Sequence, residues 1–471
     1  MRRRKGWFDA AVGRAAKQRT ALPFVSVHRQ PQPPPLPFTA FSSFVRSFCQ
    51  LRQTAVEEEA NHAVAEEAIA AVKEYTLAGN EQAAEEEEEE EGKRKGSLWE
   101  HYLQGCGGSK EQQTGTRQSI LEAICQRENA LPFLIGCRQR LLELQRQNRA
   151  AEQTGDAKQR VVTRRYLEEV EDGVRRVLFA RLRPEDLKLE RLTVTSPSPV
   201  LSQVMTADLV HPMERMEELQ RRLGVGKRCF AFFHPLLPNL PLAFVHASLH
   251  PNVVHDMQTI FKQKCEMEDE KKAEAAVFYS IHTTQPGLKG MPLGGMLIKA
   301  ATTALSEELN ALWRFATLSP IPGFRQWLRE QRTNHLQHEN LLKALETEDW
   351  FTNETLCADL QSKLMPLCAH YILQEKATPK NNNNHNKEQQ HLLDPVANFH
   401  VGHNKAHVLS LNWRADLSKW RMGESFGVMA NYSYRPSLEE REALESMELC
   451  GVPASRSVIA LLSQANHTPK H

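Results

Sequence analysis

Three places along the chain carry residues that could do chemistry. The first is FATLSPIPGFRQWL at 315–328, where a strand that ends in Ser319 is stopped by Pro320 and Pro322. Neither proline can donate to a sheet ladder, so the hydroxyl is held at a strand terminus, where reactive side chains often sit. A Ser-Pro turn serves a structural role as readily, and no G-x-S-x-G elbow of a serine hydrolase accompanies it. The second is DPVANFHVGHNKAHVLSLNWRADLS, with His400, His403 and His407 spaced i, i+3, i+7. One helix face would gather these three as metal ligands, but Gly402 and the Gly-His-Asn-Lys turn signal argue against a continuous helix, so no metal is expected. His400 alone is chemically better suited to proton donation, because imidazole titrates near neutrality without help. The third is a loop holding Gly287, Gly290, Gly294 and Gly295.

That loop lies between the apolar run Ala275 to Ser280 and LIKAATTALSEELNAL, which has helical periodicity. Strand, glycine loop and helix together make a phosphate-binding geometry, because glycines admit an anion to the backbone and the helix start presents N–H groups. An ordinary glycine turn has the same spacing, and the GxxxxGK[ST] of a P-loop is missing. Upstream, Cys229 to His255 contains no Asp, Glu, Lys or Arg and is long enough to cross a bilayer. Pro235, Pro238, Pro241 and Pro251 interrupt it, so it reads as two strands, Cys229 to Phe233 and Leu242 to Leu249, and no membrane span is expected. FGVMANYSYR at 426–435 reads as a final strand.

Before these strands the pattern is helical. Val162, Tyr166, Val170, Val174, Val177 and Leu178 recur every three to four residues, and a second helix is expected over Leu131 to Arg149 with Leu134, Leu141 and Leu144 inward. No catalytic constellation is visible there, which fits a packing or oligomerisation module.

The whole chain of 471 residues is 41% hydrophobic and 25% charged with a formal net charge of +1, which excludes collagen, coiled coil and wholly disordered classes. Charge is distributed unevenly. The first 56 residues hold ten Lys and Arg against Asp9, whereas residues 57–91 hold fourteen Glu against Lys73. The basic excess sits in a terminal arm rather than on a folded domain, so nucleic acid is not expected as a partner. The Arg-rich, acid-poor start has the composition of an organelle transit peptide, and a disordered basic arm is the other reading. Proline-dense 30–37 and the glutamates Glu85 to Glu91 extend it as solvated chain, so 1–97 is excluded from the fold. Nine cysteines without a CxxC suit a reducing compartment. A polar stretch at about 375–391, with Asn381 to Asn384, reads as an unstructured insertion.

Several motifs in order, HPMERMEELQRRLG, KRCFAFFHPLLPNLPLAFVHASL, AAVFYSIHTTQPGLKGMPLGGMLIKA, FATLSPIPGF, DPVANFH, LNWRADLS and GVMANYSY, resemble the malonyl-CoA decarboxylase family over roughly 190–436. The helical block at 98–190 resembles it more weakly, mainly around LPFLIGCRQRLLELQ and YLEEVEDGVRRVL, and is shorter than the family's usual helical domain. The resemblance implies an α+β chain: an all-helical domain at 98–190, through which homo-oligomers form, followed at 191–471 by a GNAT-like mixed-sheet catalytic domain. It implies that Lys289, Gly290, Met291, Pro292, Leu293, Gly294 and Gly295 bind the acyl-CoA and that Ser319 and His400 are the catalytic pair. Pro292 departs from the acidic residue of some relatives, so no role of that side chain carries over.

On this resemblance the expected reaction is malonyl-CoA to acetyl-CoA and CO2, in fatty acid metabolism. The thioester itself delocalises the carbanion, so no cofactor is expected. Ser319 orients the carboxylate and a protonated His400 delivers the proton to the α carbon. Asn431 and Tyr432 are candidates for the enolate oxygen, with turn and strand packing as their alternative. The other functions open to the chain are a GNAT-type acyltransferase and a non-enzymatic acyl-CoA-binding scaffold. The basic start points to mitochondria; the carboxyl end, HTPKH, lacks a peroxisomal S-K-L address, and cytoplasmic or peroxisomal placement is the alternative.

Overall fold

The computed structural model describes residues 118–119, 121–126, 130–150, 157–331, 336–347, 350–377, 391–434 and 451–466. The arm and spacer at 1–97, and 378–390 of the polar insertion, lie outside the described residues.

Helices α1 (Ala130–Ala150) and α2 (Ala157–Arg181) occupy the expected helical block. Leu134, Leu141 and Leu144 of α1 and Val170, Val174 and Leu178 of α2 are buried, each contributing roughly 1.5–3 kcal/mol by leaving water. Their partners include the sheet as well as each other. Both stripes join one continuous core with Phe230, Phe232, Val245, Phe278, Leu297 and Ile298.

Eight strands follow: β1 (Lys188–Leu192), β2 (Lys227–Phe233), β3 (Ala243–His250), β4 (Ala275–Thr283), β5 (Arg314–Thr317), β6 (Ser319–Pro320), β7 (His407–Asn412) and β8 (Met429–Ser433). They form one sheet in the order β1-β2-β3-β4-β5-β8-β6, with β7 also paired to β8. The pairs β1–β2, β2–β3 and β3–β4 are antiparallel, while β4 and β5 are parallel. Parallel neighbours need a crossover, and α3 (Leu293–Glu308) supplies it. The fold is α+β, a helical layer on a mixed sheet.

Strand alternation explains how the sheet is covered on both faces. Phe230 and Phe232 of β2 point to α1, α2 and α3, whereas Cys229, Ala231 and Phe233 point to the short helices at Ser198–Ala207 and Met216–Arg222. A further core, with Ile321, Val401, Val408 and Tyr432, gathers around α4 (Glu354–Leu373).

The helical layer also reaches the loop after β4. A Cβ at Gly287 would lie 2.0 Å from the carbonyl oxygen of Ile135 in α1, so backbone meets backbone there and only glycine fits. Beside this contact, buried Arg138 donates to the Gly287 carbonyl and pairs with Glu171 of α2 at 2.7 Å. One guanidinium therefore ties both helices to the loop.

Candidate active site

The parallel ladder between β4 and β5 runs from Ala275 opposite Arg314 to Phe278 opposite Thr317, with Leu318 N–H donating to the Phe278 carbonyl at 2.8 Å. Beyond it the strands part. β4 continues to Thr283, while Ser319 and Pro320 pair with Ala430 and Met429 of β8. Pro320 and Pro322 have no N–H to return to β4. A register shift where β3 opposes β4, at His246/Ala247, adds to the divergence. The sheet thus opens as a wedge with Ser319 at its apex.

Buried His400 enters from a π-helical turn, Asn398–His403. Its Nε2 lies 3.0 Å from Ser319 Oγ and its Nδ1 lies 2.8 Å from the Tyr434 hydroxyl. The ring stacks on Tyr432, centroids 4.5 Å apart, and meets Phe399 edge-on at 4.9 Å.

Hydrogen-bond accounting assigns the protons. Ser319 donates its hydroxyl hydrogen to Thr317 Oγ1 at 2.9 Å, so Ser319 Oγ accepts from His400 Nε2–H. The bare Nδ1 then accepts from the Tyr434 hydroxyl, whose own ionisation burial pushes up. Thr317 Oγ1 also accepts from Tyr432 N–H at 3.3 Å. Burial pushes the imidazole down to about 3, which favours the neutral ring.

The loop expected to bind acyl-CoA adjoins this pair. α3 starts at Leu293 with Pro292 at its cap, so Gly294 and Gly295 belong to its first turn rather than to a preceding loop. A Cβ at Gly294 would lie 3.1 Å from the Phe399 ring and 3.4 Å from Ile281, and one at Gly295 would lie 1.7 Å from Asn404 Oδ1. Asn404 in turn donates to the Phe399 carbonyl at 2.7 Å. The two glycines therefore let the helix start close against the His400 turn. Lys289, Gly290 and Pro292 are exposed, Met291 and Leu293 are buried, and Gly290 has a φ of +76°, suited to glycine.

Other sequence candidates part from the pair. Asn431 donates to the carbonyls of Thr317 at 2.7 Å and Val254 at 3.1 Å, and its Oδ1 accepts from Asn412 at 2.7 Å. Its amide hydrogens are spent on strand packing, which leaves none for an enolate oxygen. Tyr432 contributes a stacking ring, and its buried hydroxyl finds no partner among the described residues. His403 packs beside His391 and His407 lies in β7, so the three histidines share no helix face. Among the described residues, no group of three His, Cys, Asp or Glu side chains is arranged to hold a metal. Also among them, no helix is long and apolar enough to cross a membrane.

Tyr434 was not singled out by sequence. Alternation along the strand expected over 426–435 puts Tyr432 and Tyr434 on one face, but which side chain they meet is set by tertiary packing.

The family model for the malonyl-CoA decarboxylase C-terminal domain matches residues 186–471, which include the strands, the wedge and the Ser319–His400 pair. The chain belongs to the malonyl-CoA decarboxylase family. It is 34% identical over 310 residues to the mitochondrial malonyl-CoA decarboxylase of Rattus norvegicus, covering 60% of this chain and 61% of that protein. The relative from Anser anser anser, also named mitochondrial, is 34% identical over 313 residues, covering 60% and 59%. The chain thus spans about 60% of the length of the curated relatives it matches. The crystal structure of malonyl-CoA decarboxylase from Agrobacterium vitis superposes with a TM-score of 0.64 at 26% identity, over 90% of this chain and 99% of that one. For the Rhodopseudomonas palustris structure the values are 0.61, 27%, 90% and 99%.

Proposed function

We propose that this chain decarboxylates malonyl-CoA to acetyl-CoA and CO2, with Ser319 orienting the malonyl carboxylate and His400 protonating the resulting enolate. The observation that carries this reading is the buried Ser319 Oγ to His400 Nε2 contact of 3.0 Å at the apex of the wedge, with the start of α3 against the His400 turn. The first-turn N–H groups of α3 have no intrahelical acceptor, so this end suits the charged part of CoA, with Lys289 at its edge.

The chemistry balances with one proton. The bond between the α carbon and the carboxylate breaks, its electron pair moves onto the thioester oxygen as an enolate, and CO2 leaves. His400 Nε2 then gives its proton to the α carbon and returns to the neutral imidazole. The thioester is the electron sink, so the reaction needs no cofactor. Because burial disfavours the imidazolium, the cation has to form with substrate. The incoming carboxylate supplies the opposite charge that stabilises it.

The basic amino terminus and the mitochondrial names of the relatives support a mitochondrial location. In that setting the substrate places the protein in fatty acid metabolism. The helical block is the proposed surface for homo-oligomers.

The test is CO2 release and acetyl-CoA formation from malonyl-CoA by the full chain, with His400→Ala alongside. Turnover in wild type that drops ~10^2 to 10^4-fold in the variant, with CoA binding kept, is expected for loss of a positioned acid. Wild type that binds CoA but releases no CO2 would refute the reading, and acetyl transfer to amines without CO2 would replace it with an acyltransferase.

A further inference from the structure

Ser319 and His400 lie 81 residues apart, on separate segments, yet their side chains meet at 3.0 Å. Behind the pair both segments converge on Asp394, a fully buried carboxylate six residues before His400. Asp394 Oδ1 accepts from Val396 N–H at 3.0 Å and Ala397 N–H at 2.8 Å, capping the turn that runs directly into the π-helical residues around His400. The backbone N–H of Gly323, at the end of the Ser-Pro-Ile-Pro-Gly segment that begins with Ser319, faces the same carboxylate and favours its charged form. A third donor is the Tyr371 hydroxyl of α4, 3.4 Å from Oδ2. Tyr371 also fixes Gly323 sterically, since a Cβ there would lie 2.2 Å from its hydroxyl oxygen.

We propose that Asp394 is the positioning residue that sets the Ser319–His400 separation, by holding the Ser319 segment and the His400 turn on one carboxylate. The proposal rests on the decarboxylase reading for its kinetic consequence and on the geometry for its structural one. A carboxylate with two acceptor oxygens can serve donors on both oxygens at once, and a neutral amide cannot. The cost of losing it therefore falls on distance. A misplacement of ~1 Å between reacting groups can cost ~10^2-fold in rate without a comparable loss of binding.

Asp394→Asn keeps one oxygen for the cap and turns the other position into a donor facing Tyr371. The expected result is a kcat ~10- to 100-fold lower with the KM for malonyl-CoA within about twofold. In a crystal structure of the variant, the Ser319 Oγ to His400 Nε2 distance is expected to exceed 3.5 Å. Tyr371→Phe removes the donor on Oδ2 and is expected to lower kcat by a smaller factor in the same pattern. A folded Asp394→Asn protein with wild-type kcat and the pair still at 3.0 Å would overturn the proposal. If that variant does not fold, unchanged kcat in Tyr371→Phe would overturn it instead. Wild type without CO2 release would refute the decarboxylase reading alone, and the crystallographic distance would still decide the role of Asp394.

Discussion

Substrate binding to this site should take up a proton, and the size of the uptake follows from burial. Burial alone holds His400 down at about 3. A malonyl carboxylate ~4 Å from the ring, at an effective dielectric of ~20, is worth about 4 kcal/mol. At 1.36 kcal/mol per unit this lifts the imidazole by roughly three units, to about 6. The complex would then gain about 0.1 proton at pH 7, about 0.5 at pH 6 and about 0.9 at pH 5. The rate should follow the same group, with kcat falling up to ~10-fold per pH unit above about 6. Sulfoacetyl-CoA, whose sulfonate cannot leave as CO2, allows binding to be measured without turnover. Calorimetry in buffers of different ionisation enthalpy gives the proton count, and subtracting the count for His400→Asn removes the contribution of the CoA phosphates. Equal uptake by wild type and variant at pH 5 would refute the argument, because the charge would then be placed elsewhere.

Three further outcomes are expected. Stability should fall as the pH drops from about 6.5 towards 3, by up to ~1.4 kcal/mol per pH unit for each buried histidine, because burial holds His246 and His400 down to about 3 and the unfolded chain takes up their protons first; urea midpoints at pH 7, 6 and 5 check this, and a flat series would contradict it. Gly295→Ala should lose activity far more than Gly294→Ala, since the first meets Asn404 Oδ1 at 1.7 Å and the second meets the Phe399 ring at 3.1 Å; Asn404→Gly should return part of the loss in Gly295→Ala, read as kcat/KM. Arg138→Met should destabilise by roughly 3–5 kcal/mol because Glu171 is left without its buried partner, whereas Arg138→Met with Glu171→Leu should recover most of that in thermal unfolding.

Much of the architecture could be read from periodicity. The helix expected over Leu131 to Arg149 forms as α1, and the two strands either side of the proline-rich turn form as β2 and β3 with ends shifted by one or two residues. Where reading failed, a tertiary contact decided. Gly402 argues against a continuous helix, yet the turn around it is π-helical: Asp394 caps the short turn that leads into it, and a Cβ at Gly402 would lie 2.6 Å from Asn398 Oδ1, so the glycine makes room for that side chain. The start of α3 was placed after Gly295 because glycines usually mark loops, yet Phe399 and Asn404 demand small residues inside the first turn. The charge state of His400 and the hydrogen bond from Tyr434 depend on burial and on β8 packing against the His400 turn, which no local pattern encodes.

The contact between Gly287 and the Ile135 carbonyl bears on how the protein can be cut. The family model begins at residue 186, past both α1 and α2, which makes that position a tempting start for an expressed fragment. A fragment begun there would strip Leu134, Ile135, Val170, Val174 and Leu178 from the core they share with Phe278 and Leu297. The underside of the loop would lose Arg138 and gain an exposed apolar patch, a recipe for aggregation. The C-terminal family model starts at residue 186, but the folding unit starts earlier, and the shortest well-behaved version of this protein should begin upstream of Leu121.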